Sequence, residues 1–78
     1  MPIYIYDIKV KNKKAYNRIK RMFYYYLNQI LSSEIKIKTK STLVVPKNLE
    51  SVFDDFFRRW EGKIEVYKIA GETLSRFI

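Results

Sequence analysis

Isoleucine and tyrosine alternate through the first predicted strand, Ile3 to Lys9, so that both of its faces are apolar. A strand with two apolar faces is predicted to lie in the centre of a sheet, with another layer covering each face. Asp7 stands near the end of this strand, and the basic segment from Lys9 to Lys14 follows. Because functional residues are common in loops at strand ends, this junction is the first candidate site.

Apolar residues spaced three and four apart predict a first helix from about Lys13 to Leu31, with Asn12 as its N-terminal cap. The predicted buried stripe consists of Tyr16, Ile19, Phe23, Tyr26, Leu27 and Ile30. The opposite stripe carries Asn17, Arg21, Tyr24 and Asn28, with Arg18 and Lys20 beside it. Positive residues crowd the start of the helix, where the helix dipole disfavours them, which indicates another use for the charge.

Two short strands are predicted next, Glu34 to Thr39 and Thr42 to Val45, joined by a turn at residues 39–41. In the first of these strands isoleucine alternates with lysine, which is typical of an edge strand with one wet face. The second strand is a continuous apolar run and is predicted to be interior.

A second helix is predicted from Leu49 to about Trp60, with Asn48 as its cap and Gly62 ending it. Its predicted buried stripe is Leu49, Val52, Phe53, Phe56 and Trp60, with Phe57 off the stripe. Ion pairs are predicted for Asp54 with Arg58 and for Asp55 with Arg59, because each acid precedes its base by four residues.

The last clear strand is predicted at Lys63 to Ile69, and the tail from Glu72 to Ile78 is too apolar for a free end. The order β-α-β-β-α-β predicts an α+β fold, the ferredoxin-like plait, as one domain over residues 1–78. Its four-stranded antiparallel sheet has the usual order 4-1-3-2, with two helices on one face.

The predicted sheet has one face without helices. If Ile3, Ile5, Ile64 and Val66 face the helices, then Tyr4, Tyr6 and Tyr67 share the other face. Such a face is either a binding platform or a dimer interface.

Composition narrows the classes of function. The net charge of +8, from 16 basic and 8 acidic residues, favours a polyanionic partner. The alternative is the lysine-rich solvated surface of a thermophile's protein. The 78 residues include no cysteine or histidine, so neither a disulfide nor a zinc site is expected. No apolar run reaches the roughly 20 residues that span a bilayer, and no signal peptide is evident. We therefore expect a soluble, cytoplasmic protein with no membrane partner.

Candidate catalytic groups are few, because the chain has no histidine base, no cysteine nucleophile and no glycine-rich phosphate loop. Asp7 is the candidate for catalysis and for binding Mg²⁺. One carboxylate alone holds Mg²⁺ poorly, but a two-fold dimer that brought two copies together would improve the site. The alternative is that Asp7 caps a turn or pairs with Lys9 or Lys11. A non-catalytic protein is therefore favoured.

Two basic groups are candidate nucleic-acid contacts. The first consists of Lys11, Lys13, Lys14, Arg18 and Arg21, which predict a phosphate-contacting ridge. The second consists of Lys36, Lys38 and Lys40 on the edge hairpin, where protection of an edge strand is the alternative. Neither spacing indicates base readout, so recognition of the DNA or RNA backbone is expected.

The segment Tyr4-Ile5-Tyr6-Asp7-Ile8, followed by a basic gap and then Asn17-Arg18-Ile19-Lys20-Arg21-Met22-Phe23, resembles the opening of the small CRISPR-associated adaptation protein. That family is the ferredoxin-like partner of the CRISPR integrase. The specific part of the resemblance covers about residues 3–31, and the remainder matches in topology.

The resemblance implies a symmetric dimer in which Glu72 to Ile78 adds a strand to the partner's sheet. It implies Mg²⁺-dependent nuclease chemistry at Asp7, with the two copies facing each other. It also implies that a DNA duplex is held for spacer integration through basic residues, for which Lys13, Lys14, Arg18 and Arg21 are the counterparts.

The chain departs from that family after the first helix, where a Gln-x-Ser-apolar-Phe-Glu block is usual. Residues 31–36 keep only Ser33 and an apolar Ile35, and Lys36 replaces the acid. Three functional hypotheses follow: a dimeric nucleic-acid-binding adaptor, a Mg²⁺-dependent endonuclease, and a single-strand DNA or RNA binder that stacks bases on Tyr4, Tyr6 and Tyr67. A fourth is a small interaction protein whose charge serves solubility.

Overall fold

The computed structural model describes residues 1–32, 35–39 and 41–78, and for residues 36–39 it describes the backbone. Its elements in chain order are β1 (Ile3–Ile8), α1 (Lys13–Ile30), β2 (Lys36–Thr39), β3 (Thr42–Val44), a 3₁₀ turn (Lys47–Leu49), α2 (Glu50–Arg58), β4 (Ile64–Ala70) and β5 (Thr73–Arg76). The predicted start of the second strand at Glu34 and the predicted turn residue Lys40 lie outside the described residues.

The strands form one antiparallel sheet in the order β2-β3-β1-β4-β5. The predicted α+β ferredoxin-like plait is confirmed, because the first four strands have the order expected for it and β1 is central. The fifth strand extends the sheet beyond β4. A central β1 is what its two apolar faces require.

The prediction of which face of β1 meets the helices is wrong. Tyr4 and Tyr6 are 0% and 4% exposed and lie under the helices, together with Val66, which is paired with Tyr6 across the strands. Ile3 and Ile5 therefore point to the face without helices. Residues 3–6 are apolar on both sides and do not decide this question, but the charged Asp7 shares a side with Ile3 and Ile5, which favours exposure of that side.

Helix α1 begins as predicted at Lys13, and the Asn12 side-chain oxygen accepts a hydrogen bond of 3.2 Å from the Ala15 N–H. Its buried side chains are Ile19, Phe23 and Leu27. Two tyrosines differ from prediction: Tyr26 is 48% exposed, whereas Tyr24 is half-buried with its ring 5.3 Å from that of Phe23. No helix of the described residues is both long and apolar enough to cross a membrane.

Helix α2 differs from prediction at its start and in its buried face. Asn48 lies inside the 3₁₀ turn and does not cap the helix, which starts after Leu49 without a side-chain cap. Phe57, predicted to be off the stripe, is fully buried, and Val52 is 44% exposed. Gly62 has φ of 87°, a left-handed conformation suited to glycine, and it lies in the turn that leads into β4.

Aromatic rings fill the space between the sheet and the helices. Phe23 is central, with its ring centroid 5.2 Å from Tyr6, 5.4 Å from Trp60 and 5.5 Å from Phe56. Tyr4 packs on Phe57 at 5.0 Å. Such pairs add about 0.5–1.5 kcal/mol each beyond the area they bury, so a dense aromatic core stabilises this short chain without a disulfide.

A cluster of polar side chains connects α2 with β1 and β4. The Tyr4 hydroxyl donates to Asp54 Oδ1 at 2.6 Å, and the Lys68 ammonium donates to the same carboxylate at 2.9 Å and pairs with Glu50. Asp54 therefore pairs across to β4 and not with Arg58 as predicted. Asp55 pairs with Arg58 at 3.6 Å in place of Arg59, and both partners are exposed.

The C-terminal tail folds onto its own chain. Strand β5 pairs with β4, and Gly71, with φ of 65°, makes the turn between them. The Phe77 N–H then donates to the Val66 carbonyl at 2.7 Å, and the Phe77 ring lies under the Arg58 guanidinium at 5.0 Å. The apolar tail is thereby accounted for within one chain, and its addition to a partner's sheet stays a prediction.

Candidate nucleic-acid interface

The net charge of the protein is unevenly distributed along the chain. Residues 1–45 contain ten basic and two acidic side chains, while residues 46–78 contain six of each. The first 45 residues therefore account for the whole net charge of +8. Within them, the stretch from Lys9 to Arg21 holds seven basic residues and no acid.

The structure places the first predicted basic group on one exposed surface. This surface, the basic ridge, consists of Lys11, Lys13, Lys14, Arg18 and Arg21, all of which are exposed. Lys11 lies in the loop after β1, and the other four occupy the first half of α1. At 100° per residue, Lys14, Arg18 and Arg21 lie within about 60° of one another, opposite the buried stripe of the helix.

Burial of one side of α1 determines where the ridge points. Ile19, Phe23 and Leu27 hold the helix on the sheet, so the residues on the opposite side must face solvent. From Lys13 to Arg21 the helix rises about 12 Å, so the ridge is long enough to lie along several phosphates of a nucleic acid.

The basic ridge is not neutralised by the fold. Among the described residues, none of its side chains forms an ion pair with a carboxylate, and the first turn of α1 contains no acid. Positive charge at a helix N-terminus is unfavourable by about 0.3–1 kcal/mol per group. The ridge therefore does not stabilise the fold, and an external anion would relieve this repulsion.

Of the second predicted basic group, Lys36 and Lys38 belong to the edge strand β2. Lys36 is paired with Val44 of β3, but the side chains of Lys36 and Lys38, and the whole of Lys40, lie outside the described part of the chain. The hairpin that carries them meets β1 where the Tyr6 N–H donates to the Ser41 carbonyl at 3.0 Å. The backbone thus brings Ser41 to the end of β1 that leads into the basic ridge.

A shallow groove of about 580 Å³ runs along α1 beside the ridge and was not predicted as a site. Its polar lining includes Asn17, Lys20, Arg21 and Asn28, and Tyr25 adds a ring that is 63% exposed. Amides, cations and an exposed ring are groups that contact sugars, phosphates and bases. The polar stripe of the helix was predicted from the sequence, but the depth of the groove depends on how the neighbouring side chains pack.

Asp7 lies on the sheet face without helices, where its Oδ1 accepts a hydrogen bond of 2.9 Å from the Ile8 N–H. Glu65 of β4 stands directly opposite Asp7 across the strands. A hydrogen bond from the Tyr67 hydroxyl, with Arg76 and Lys9 nearby, holds the pKa of Glu65 below its ordinary value. The sequence did not reveal Glu65 as a neighbour of Asp7, because strand register is not encoded locally.

Two adjacent carboxylates are a modest basis for metal binding. Within the described residues no group of three or more His, Cys, Asp or Glu side chains is placed to hold a metal ion. Asp7 and Glu65 provide a pair, and Mg²⁺ is commonly bound by one or two carboxylates with phosphate oxygens and waters completing its shell.

The proposed stacking platform of three tyrosines does not exist, since Tyr4 and Tyr6 are buried in the core. The sheet face without helices, here called the open face, is largely apolar instead. It presents Ile3, Ile5, Val44, Tyr67, Ile69 and Leu74. Leu74 is 60% exposed, and Ile5 and Tyr67 are more than one-third exposed. The single-strand hypothesis loses its stacking surface, whereas an apolar open face is typical of an interface.

Comparison with known proteins gives no assignment: no family model, no curated protein and no solved structure matches this chain.

Proposed function

We propose that this protein is a dimeric adaptor that binds the backbone of duplex DNA through its basic ridge. In this role it holds DNA for a partner enzyme, as the resemblance to the CRISPR adaptation protein suggests, with an integrase as the expected partner. The observation that carries the proposal is the charge of the ridge. Seven basic residues from Lys9 to Arg21 occur without an acid, and those of the ridge lack a carboxylate partner among the described residues.

The chemistry of the ridge favours phosphate over bases. Its side chains are lysines and arginines on the first half of one helix and in the preceding loop. Such groups position a protein on a duplex without reading its sequence, and their binding depends on released counterions. If all five ridge residues contact phosphates, the logarithm of affinity falls with the logarithm of salt with a slope of about −4.5.

Dimerisation is supported by the open face. Antiparallel sheets usually have a polar solvent-facing side, but here the open face carries isoleucines at the centre of the sheet. Packing two open faces together would cover this surface. Because both helices lie on the other side of the sheet, such a dimer has one basic ridge on each outer surface.

The central test is a salt titration of duplex binding measured by fluorescence anisotropy. The double variant Arg18→Ala with Arg21→Ala should lose two phosphate contacts and reduce the magnitude of the slope by about 1.8. The wild-type protein binds more tightly than the double variant, and the ratio of the two affinities should fall by about tenfold between 50 and 200 mM salt. This factor is the fourfold change in salt raised to the power of about 1.8, the difference between the two slopes.

The matched control removes two exposed cations outside the ridge and the open face, by Lys47→Ala with Arg59→Ala. This control should keep the wild-type slope. An equal change of slope in both variants would show that net charge matters and the ridge does not, and absence of duplex binding by the wild-type protein at low salt would end the proposal.

A second candidate function is a Mg²⁺-dependent endonuclease, favoured by the position of Glu65 opposite Asp7. A metal held by these carboxylates would activate water for in-line attack on a phosphodiester. Asp7→Asn should then abolish Mg²⁺-dependent cleavage while leaving duplex affinity intact. Cleavage at the wild-type rate by Asp7→Asn protein would refute this function, and it would leave the adaptor proposal untouched.

A further inference from the structure

A second concave surface lies between α1 and α2, near the C-terminal end of each helix. It is a groove of about 460 Å³, within the range of about 300–1,000 Å³ that is usual for binding pockets. Its floor is formed by Phe56 and Trp60, which are 8% and 7% exposed. Its walls include Met22 and Tyr26, which are 44% and 48% exposed. Methionine and aromatic side chains are enriched in the buried centres of protein–protein interfaces, so the groove has the composition of a docking site.

The charged residues among the described lining of the groove are Arg59 and Lys63. Both are exposed, and neither forms an ion pair with a described carboxylate. Asp55, four residues before Arg59, pairs with Arg58 instead and leaves the Arg59 guanidinium available. The groove thus combines an apolar floor with two cations at its rim, which calls for an apolar group next to one or two negative charges.

Nucleic acid is a poor match for this groove. Phe56 and Trp60 are packed against Phe23, with centroids 5.5 Å and 5.4 Å away, so their rings are not free platforms for stacked bases. The C-terminal half of α1 beyond Arg21 carries no basic residue that would continue a row of phosphate contacts. Two cations suit one or two carboxylates better than a repeating phosphate chain.

We propose that this groove binds a short acidic segment of a partner protein. One large apolar side chain of that segment lies against Phe56 and Trp60, between Met22 and Tyr26. A neighbouring carboxylate pairs with Arg59, whose planar guanidinium suits bidentate contact, and Lys63 adds a second charge. This docking site is separate from the basic ridge and does not depend on nucleic-acid binding.

The test is a selection of peptides from a random displayed library on the immobilised wild-type protein. Enriched peptides should share a large apolar residue close to acidic residues. Their affinity should fall at least about tenfold for the charge-reversed variant Arg59→Glu with Lys63→Glu. The same selection on this variant should enrich basic residues in place of acidic ones. A reversal at a distant exposed position, Lys47→Glu, is the control and should keep wild-type affinity.

Both substituted side chains of the reversed variant are exposed, and an amide NMR spectrum establishes that it is folded. Three results would overturn the proposal. The first is the absence of enrichment, or enriched peptides that bind the reversed variant as tightly as the wild type. The second is a loss of duplex affinity in the reversed variant equal to that of the Arg18 and Arg21 double variant, which would make the groove part of the nucleic-acid surface. The third is a change of oligomeric state on reversal, which would identify the occupant as a second copy of this chain.

Discussion

Replacement of Lys68 by methionine is expected to destabilise the protein by about 2–3 kcal/mol at neutral pH. The Lys68 ammonium donates to both oxygens of Asp54, at 2.9 Å and 3.1 Å, and pairs with Glu50. It also lies over the Tyr4 and Phe77 rings at 5.5 Å and 5.4 Å. The Lys68 side chain is only 13% exposed and that of Asp54 17%, so solvent does little to replace the lost partner.

The magnitude follows from what remains after the substitution. Methionine keeps most of the apolar stem, so packing changes little, but two carboxylates lose their counterion. Loss of one partner of a fully buried pair costs about 3–5 kcal/mol, and the 31% exposure of the Glu50 side chain reduces that figure here. For a domain of this size, 2–3 kcal/mol corresponds to a fall of roughly 10–20 °C in Tm.

Urea unfolding followed by circular dichroism measures the effect, with Lys47→Met as the exposed control, which should change stability by less than about 0.5 kcal/mol. Burial by itself would lower the pKa of Lys68, but hydrogen bonds to Glu50 and Asp54 raise it above the ordinary value of 10.5. The stabilisation is therefore complete at neutral pH and is lost as pH rises through the raised pKa. A Lys68→Met protein as stable as the wild type, or more stable, would refute this expectation. It would show that the free-energy cost of desolvating the ammonium equals or exceeds the stabilisation from its ion pairs.

Three further predictions concern the core, the first helix and the open face. Burial raises the pKa of Tyr4 and Tyr6, so the folded state retains protons that the unfolded state releases above pH 10.0. Their contribution to stability should fall by up to about 2.7 kcal/mol per pH unit above that value, and Tyr6→Phe should halve this slope in alkaline unfolding curves. Asn12→Ala should cost about 1 kcal/mol in urea unfolding through loss of the helix cap, and Asn12→Asp should not. Ile5→Lys should turn a dimer into a folded monomer in analytical ultracentrifugation, and a dimer that persists would exclude the open face as the interface.

Local patterns in the sequence determined most of the fold. The four-residue spacing of Ile19, Phe23 and Leu27 predicted α1, and the cap at Asn12 was evident because its geometry involves residues only three apart. The order of elements was sufficient for the ferredoxin-like plait and for the central position of β1. The location of the basic ridge was also predictable, since a helix with one buried side must expose the other.

Features that depend on contacts between distant residues were not predictable in this way. Asp54 was expected to pair with Arg58 one turn away, but Lys68 and Tyr4 are closer in the folded chain and lie in a less polar environment. Glu65 lies opposite Asp7 because of the register between β1 and β4. The groove between α1 and α2 forms because the two helices pack beside each other, with Phe56 and Trp60 in its lining.

The sequence by itself determined the elements, their order and the concentration of positive charge in the first 45 residues. The tertiary structure decided which face of β1 is buried. Residues 3–6 are apolar on both faces, so their hydrophobicity favours neither, and Asp7, on the same face as Ile3 and Ile5, is a local indication that this face is exposed. Tyr4 and Tyr6 face the helices because their rings fit the aromatic core and the Tyr4 hydroxyl finds Asp54 on α2. That choice places the isoleucines on the open face, and with them the surface proposed to join two copies of the chain.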